Sequence, residues 1–231
     1  MKNKIIIFGT GEYAELACYY FTHDSQYEVV AFTADEQYVN SDSFLGLPLV
    51  AATEVSKKYP PNLYKAHVAL SYRKLNKIRE EKYFFMKNMG YELVSYVCSK
   101  SVVWSDLNIG DNCFVLENQT IQPTVSIGNN VMIWSGNHLG HNCSISDHTY
   151  ISSHVCISGH VKIGQRCFLG VNSTVADFVN IGDDCFVGMS AGVTKNLNDG
   201  DAILASKSSI FDKKSDLNKK IMASYFKKTT E

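Results

Sequence analysis

Basic excess is missing from this sequence. Over 231 residues, 22 Lys and Arg face 23 Asp and Glu, leaving a net charge of −1. A chain without spare cations has little with which to neutralise phosphates, so nucleic acid is not expected as its main partner. Long apolar runs are missing too, and none approaches the length that spans a bilayer. The opening Lys4-Ile-Ile-Ile-Phe8 is apolar, but Gly9-Thr10-Gly11-Glu12 interrupts it well short of a secretory signal's apolar region. The seven cysteines are odd in number and contain no C-x-x-C pair. That argues against a zinc knuckle or a disulfide framework, and leads us to expect reduced thiols in the cytoplasm. With 45% hydrophobic and 19% charged residues, the chain has core material for one large or two small domains.

What is present is a period of six. From Val103 to Val193, every sixth residue is a branched aliphatic, sixteen in succession without exception. At a background near one in four, chance gives such a run on the order of one time in a billion. Neither a helix nor an ordinary strand repeats every six residues. The residue after each anchor is repeatedly small, as at Gly110, Gly128, Gly140, Ser158 and Gly164. The fourth residue after it is small or β-branched, as at Val125, Cys143, Val161, Cys167 and Cys185. The pattern predicts a stacked solenoid of about five coils whose ends need capping. Four cysteines fall at the small interior position, which makes them core filler. The charged tail Asp212–Lys228 is expected to be a helical cap.

The first hundred residues keep a different rhythm. Strands are expected at Lys4–Phe8, Tyr27–Phe32, Ala66–Ser71 and Leu93–Val97, with helices at Glu12–Phe21 and Lys74–Met89. Such alternation indicates a small α/β domain with a parallel sheet. Gly9-Thr10-Gly11, between a strand and a helix, is a place where a phosphate could rest on backbone N–H groups, or a tight turn with no ligand. Ala14 stands where a third glycine would complete a dinucleotide fingerprint, so no NAD is expected. Asp35, beyond the second strand, either meets a ribose hydroxyl or base edge, or begins a turn. The boundaries expected are 1–98 for the α/β domain, 99–205 for the repeat and 206–231 for the tail.

Several stretches together resemble the NeuD/PglD-type family of sugar acyltransferases. They are Ile6-Ile-Phe-Gly-Thr-Gly11, Gly46-Leu-Pro-Leu-Val50, Ala66-His-Val-Ala-Leu-Ser71, His141-Asn-Cys-Ser-Ile-Ser-Asp147, Gly159-His-Val-Lys-Ile-Gly164 and Val193-Thr-Lys195. The resemblance implies a Rossmann-like domain followed by a left-handed parallel β-helix of hexapeptide repeats. It also implies a homotrimer with active sites between adjacent β-helices, and acetyl transfer from acetyl-CoA to a nucleotide-linked amino sugar for a surface glycan. In that frame His141 falls at the family's catalytic histidine, a general base for the attacking group. Asn142 replaces the glutamate that orients the histidine in PglD-like members, and Tyr150 replaces a histidine near the acetyl carbonyl. Gly159 and Trp134 match positions on the acyl-CoA side, Lys195 could meet the CoA phosphates, and Gly9, Thr10, Gly11 and Asp35 would hold the nucleotide. His160 stands 18 residues beyond Asn142, one coil along on the same face. After Lys195 the chain departs from the family's Pro-rich ending.

Other readings stand beside this one. O-acetylation of a sugar hydroxyl asks more of the base. A zinc enzyme resembling gamma-class carbonic anhydrases would need gathered histidines, yet His148, His154 and His160 share one hexad position on three successive strands and should face three directions. No metal site is therefore expected. A β-helix that only binds or scaffolds is the non-enzymatic alternative.

Overall fold

The structure is a computed structural model and describes residues 3–225. Its first unit is an open sheet built on β1 (Asn3–Phe8), whose core residues Ile5, Ile6 and Ile7 are fully buried. β2 (Tyr27–Ala34) and β5 (Lys65–Val68) pair with it in parallel on either side. β4 (Leu47–Ala51) pairs in parallel with β2, and β3 (Ser43–Phe44) closes the edge antiparallel to β4, giving the order β3-β4-β2-β1-β5. A strand at Leu47 was not expected. It lies beyond a tight turn at Leu45-Gly46, both with positive φ.

Helix α1 (Glu12–His23) buries Ala14, Ala17 and Phe21 against the sheet. Its start is Gly11, and it runs two residues past the expected end. Short α2 (Val55–Lys58) follows β4, and α3 (Lys77–Asn88) follows β5. Three left-handed residues, Lys74, Leu75 and Asn76, precede α3 and delay its start by three residues from the expected position.

The second unit is a parallel β-helix with three faces. The face carrying Tyr150 has seven strands, and the faces carrying His138 and Ser144 have five each. Strands pair with a shift of 18 residues, as His138 with Cys156 and Cys156 with Thr174. Every anchor from Ile121 to Val193 points inward and is at most 3% exposed, and Cys113, Cys143, Cys167 and Cys185 share that interior. The first strand is β6 (Tyr96–Val97), which pairs with Phe114–Val115, so the β-helix begins three residues before residue 99. The start of the expected fourth strand meets the N-terminal sheet instead, through a Leu93–Ala66 bridge, the Val94 N–H donating to Ala66 O (2.9 Å) and the Val94 carbonyl accepting from His67 Nδ1.

Corners repeat as regularly as anchors. Third after each anchor, from Asn112 to Ser190, stand fourteen consecutive positions with φ between 53° and 79°. Asparagine or glycine fills six of them, because a short polar side chain, or none, tolerates the left-handed region. His148, His154 and His160 occupy three of these positions at three different corners, in keeping with their hexad spacing.

The N-terminal unit covers the Tyr150 face and the corner leading into it. Val68 N–H donates to Asn112 Oδ1 (2.7 Å), Tyr83 to Asp111 Oδ1 (2.7 Å), Asn76 Nδ2 to Cys167 O (3.0 Å) and Arg79 to His148 O (2.7 Å). The last coil is closed by Ala202–Ile203, with Leu197, Ile203 and Ala205 packed on the core. Helix α4 (Asp216–Tyr225) forms within the expected tail, but among the described residues its side-chain hydrogen bonds and ion pairs reach no partner outside residues 211–219. The expected helix at 226–228 lies outside the described residues.

Candidate functional site

One corner of the β-helix gathers the unusual residues. Between the His138 face and the Ser144 face, the 18-residue register stacks His141, Gly159 and Asp177 in one column. Lys195 follows Val193 by two residues, where the register shortens to 16 between Ile181 and Leu197. Thr124, Asn142, His160 and Phe178 form the column beside it. Coils repeat at about 4.8 Å, so Asp177 stands roughly 10 Å along the edge from His141.

His141 is exposed and held from three sides. Its N–H donates to Gln122 Oε1 (2.8 Å), its carbonyl accepts from His160 N–H (2.9 Å), and its ring packs edge-on to His160 with centroids 5.0 Å apart. The carboxamide of Asn142 stands 3.1 Å from Nδ1. The other end of that amide is 2.7 Å from Thr124 Oγ1, which also accepts the Asn142 backbone N–H at 3.0 Å. His160 in turn stacks on Phe178, 4.7 Å between centroids. Nε2 is left facing Gly159. A Cβ at Gly159 would lie 3.0 Å from Cε1 and Nε2 and 3.4 Å from Asp177 Oδ1. The Gly159 N–H is already committed to Asp177 Oδ1 (3.0 Å). What glycine offers here is therefore room beside the imidazole, and not a free donor.

The neighbouring face carries Thr120, His138, Cys156, Thr174 and Gly192 outward, with no large side chain beyond the histidine. Exposed Lys195 follows the last strand of that face, Gly192–Val193. A long flexible thioester could lie along such an edge, with its acyl end at Gly159 and an anionic end near Lys195.

Trp134 and Tyr150 are not at this corner in the same chain. Tyr150 is the outward residue of a strand on the face that the N-terminal unit covers, and it is 3% exposed. Trp134 Nε1 donates to its hydroxyl, and Tyr13 shares a hydrogen bond with it at 2.8 Å. Burial raises the Tyr150 phenol well above its ordinary range, so it remains a neutral O–H. Tyr13 opens α1 just after Gly11, which places Trp134 and Tyr150 beside the glycine turn.

That turn is shaped by backbone packing at one glycine and open at the other. Gly9 has φ +136°, and a Cβ there would lie 2.7 Å from Ala69 O. Gly11 meets nothing within 4 Å, and α1 has no side-chain cap. Asp35 follows the C-terminal end of β2 and pairs with Lys82 Nζ at 2.9 Å. Both features lie at the carboxyl ends of parallel strands, where open α/β sheets take ligands. Beneath them Arg79 is 3% exposed with no carboxylate partner among the described residues, and burial lowers its pKa to about 10.

Several participants carry no signal in the local sequence. Thr124 and Asp177 could have been found only by adding the 18-residue register to His141 and its neighbour. Tyr13 and Arg79 reach the β-helix from the other unit, and no spacing announces them.

Comparison with known proteins agrees with this architecture. Residues 124–159 match the bacterial transferase hexapeptide (six repeats) family, and residues 160–195 match the hexapeptide repeat of succinyl-transferase. A perosamine N-acetyltransferase from Caulobacter crescentus, solved with CoA and GDP-perosamine, is 22% identical at a TM-score of 0.75, covering 87% of this chain and 92% of its own. The acetyltransferase domain of PglB from Neisseria gonorrhoeae, solved with acetyl coenzyme A, is 20% identical at a TM-score of 0.77, covering 87% and 96%. WeeI from Acinetobacter baumannii is 17% identical at a TM-score of 0.67, covering 88% and 97%. At these identities the likeness is one of fold, across both units. No curated protein sequence matches the chain. No helix among the described residues is long and apolar enough to cross a membrane.

Proposed function

We propose that this protein transfers an acetyl group from acetyl-CoA to the amine of a nucleotide-linked amino sugar, with His141 as general base. The observation that carries the reading is the His141 corner. There an exposed imidazole is braced by Gln122, Asn142 and His160, and its free edge looks at a glycine that leaves room for a substrate chain. Similar two-unit proteins were solved with CoA or acetyl coenzyme A, and one of them with GDP-perosamine as well.

The chemistry follows from the residues. As the sugar nitrogen attacks the thioester carbonyl, it must lose a proton, and His141 Nε2 is the group placed to take it. The new N–C bond forms as the C–S bond breaks, and the thiolate leaves with CoA. No acyl-enzyme is needed, and the core thiols are ill suited to one: burial raises the Cys143 pKa and pushes that of Cys167 up to about 12. Asn142 orients the ring without supplying charge, a brace adequate for an amine acceptor. Lys195 would meet the phosphates of CoA. The N-terminal unit, read as Rossmann-like, would hold the nucleotide at Gly9-Thr10-Gly11 with Asp35 at the sugar or base.

A homotrimer supplies what one chain lacks. In a single chain His141 and the Trp134–Tyr150 pair lie on different edges of the β-helix. An apolar strip of Val171, Met189 and Leu204, 39%, 68% and 72% exposed, runs along the corner that follows the Tyr150 face. Packing that strip against the next subunit would bring the Trp134 edge toward a neighbouring His141.

The test is His141→Ala. Turnover should fall by about a hundredfold or more, the usual worth of a positioned base, while nucleotide-sugar binding measured by calorimetry stays within about twofold. Undiminished turnover would remove His141 from the mechanism and favour a binding or scaffolding role.

A further inference from the structure

We propose that Thr124 is a positioning residue that sets the tautomer of His141 through Asn142. The inference rests on His141 acting as base, and it concerns which ring nitrogen carries the proton beforehand. A neutral imidazole has one N–H and one lone pair. Only with the proton on Nδ1 does Nε2, the nitrogen facing Gly159, have a lone pair to offer. The group touching Nδ1 therefore decides whether the base can work. A glutamate there would accept Nδ1–H without ambiguity. A carboxamide can present either its oxygen or its NH2, and a second residue must choose.

Thr124 is placed to choose. Its Oγ1 lies within hydrogen-bond distance of three groups: the Asn142 backbone N–H (3.0 Å), the Asn142 side-chain amide (2.7 Å) and the Pro123 carbonyl. A hydroxyl has a single proton. If the amide turned its oxygen toward Thr124, that oxygen and the Pro123 carbonyl would compete for the proton, and one acceptor would lose. With NH2 turned toward Thr124, the hydroxyl accepts from it and from the backbone N–H, and donates to Pro123. Every contact is then a hydrogen bond. The structure sets Nδ2 at 3.1 Å from His141 Nδ1 and Oδ1 toward Thr124; exchanging the two ends of the amide, which scarcely differ in shape, puts the oxygen against Nδ1, where it accepts Nδ1–H and frees Nε2. It still accepts that hydrogen once Nε2 has taken the substrate's proton. The titratable groups near the ring are His160, edge-on at 5.0 Å, and Asp177 across Gly159. Neither touches Nδ1 among the described contacts.

The backbone gives an independent sign. Of the fourteen left-handed corner positions, Thr124 (φ 68°) is the one β-branched residue, a class that rarely accepts this region. Phe178 (φ 64°), bulky and also poorly suited, stands in the same column. Strain held at two positions beside Asn142 and His160 marks this corner as built for something other than stability.

The experiment uses full-length protein with 15N-labelled histidine, the His141 signals being assigned by their loss in His141→Gln. In the wild type, neutral His141 is expected to carry its proton on Nδ1. Thr124→Val should move protons to Nε2 and lower kcat about tenfold with KM for both substrates unchanged, while Thr124→Ser keeps the wild-type spectrum and rate. A wild-type spectrum with the proton on Nε2, or a Thr124→Val spectrum identical to wild type, overturns the proposal. The wild-type spectrum decides even where Thr124→Val does not fold. Full turnover in His141→Ala would instead defeat the base assignment, a failure that the tautomer spectra do not register.

Discussion

Gly159 shows how much a single side chain can decide at this edge. Its missing Cβ is what separates the His141 imidazole from the Asp177 carboxylate, at 3.0 and 3.4 Å from the place a methyl would take. Contacts of that length force a neighbour to yield, and the exposed imidazole is the part free to move. Gly159→Ala should therefore raise KM for acetyl-CoA and lower kcat/KM about tenfold, because the methyl fills the room beside the proposed base and shifts its ring. Its backbone conformation is ordinary, so the melting temperature should stay close to that of wild type. Steady-state kinetics beside a thermal melt check both halves. A variant that melts early with unchanged KM would make Gly159 a corner residue of structural use only.

At the scale of elements, the seam between β5, α3 and the β-helix carries the polar cost of joining two folds. His67 on β5 is 1% exposed, donates from Nδ1 to Val94 O (2.9 Å), and packs against Phe21 of α1 and Phe114 of the β-helix. Burial drives its pKa down from 6.5 to about 4, opposed by the Val94 bond and aided by Arg79. His148, at the corner under α3, shifts the same way, mainly by burial, with Glu80 in part opposing. A histidine held neutral in the fold gives stability that is complete above pH 6.5 and lost as pH falls toward 4, since the unfolded chain binds the proton first. For His67 the full effect is on the order of 3 kcal/mol. Urea unfolding at pH 7 and pH 4.5 should show that loss, and His67→Asn should show a shallower slope. Equal slopes would place the pH sensitivity elsewhere.

The same seam marks the limit of what could be read from sequence. The anchors and interior cysteines were legible because one spacing repeats without interruption. The left-handed corners were present as Asn112, Asn118, Asn130, Asn142 and Asn172, but histidine, arginine and phenylalanine at sister positions hide the pattern. The strand at Leu47 lay behind a proline and an unexpected turn. Contacts such as Asn76 to Cys167 join residues 91 apart in chains of different rhythm, and no local pattern encodes them.

The whole molecule joins an open sheet to a three-faced parallel β-helix. The parallel sheet presents its strand ends, with Gly9, Gly11 and Asp35, beside the covered Tyr150 face, while His141 waits at another edge. In the proposed homotrimer a second copy would complete the site, and in the proposed reaction acetyl-CoA and an amino-sugar nucleotide meet at His141. The measurement that tests this most directly is release of free CoA thiol from acetyl-CoA by purified wild-type protein across a panel of amino-sugar nucleotides. We expect thiol release that depends on one such nucleotide, with one equivalent of amide product for each thiol. No release with any amine-bearing member, while a hydroxyl-bearing sugar is acetylated or no acceptor responds at all, would contradict the account.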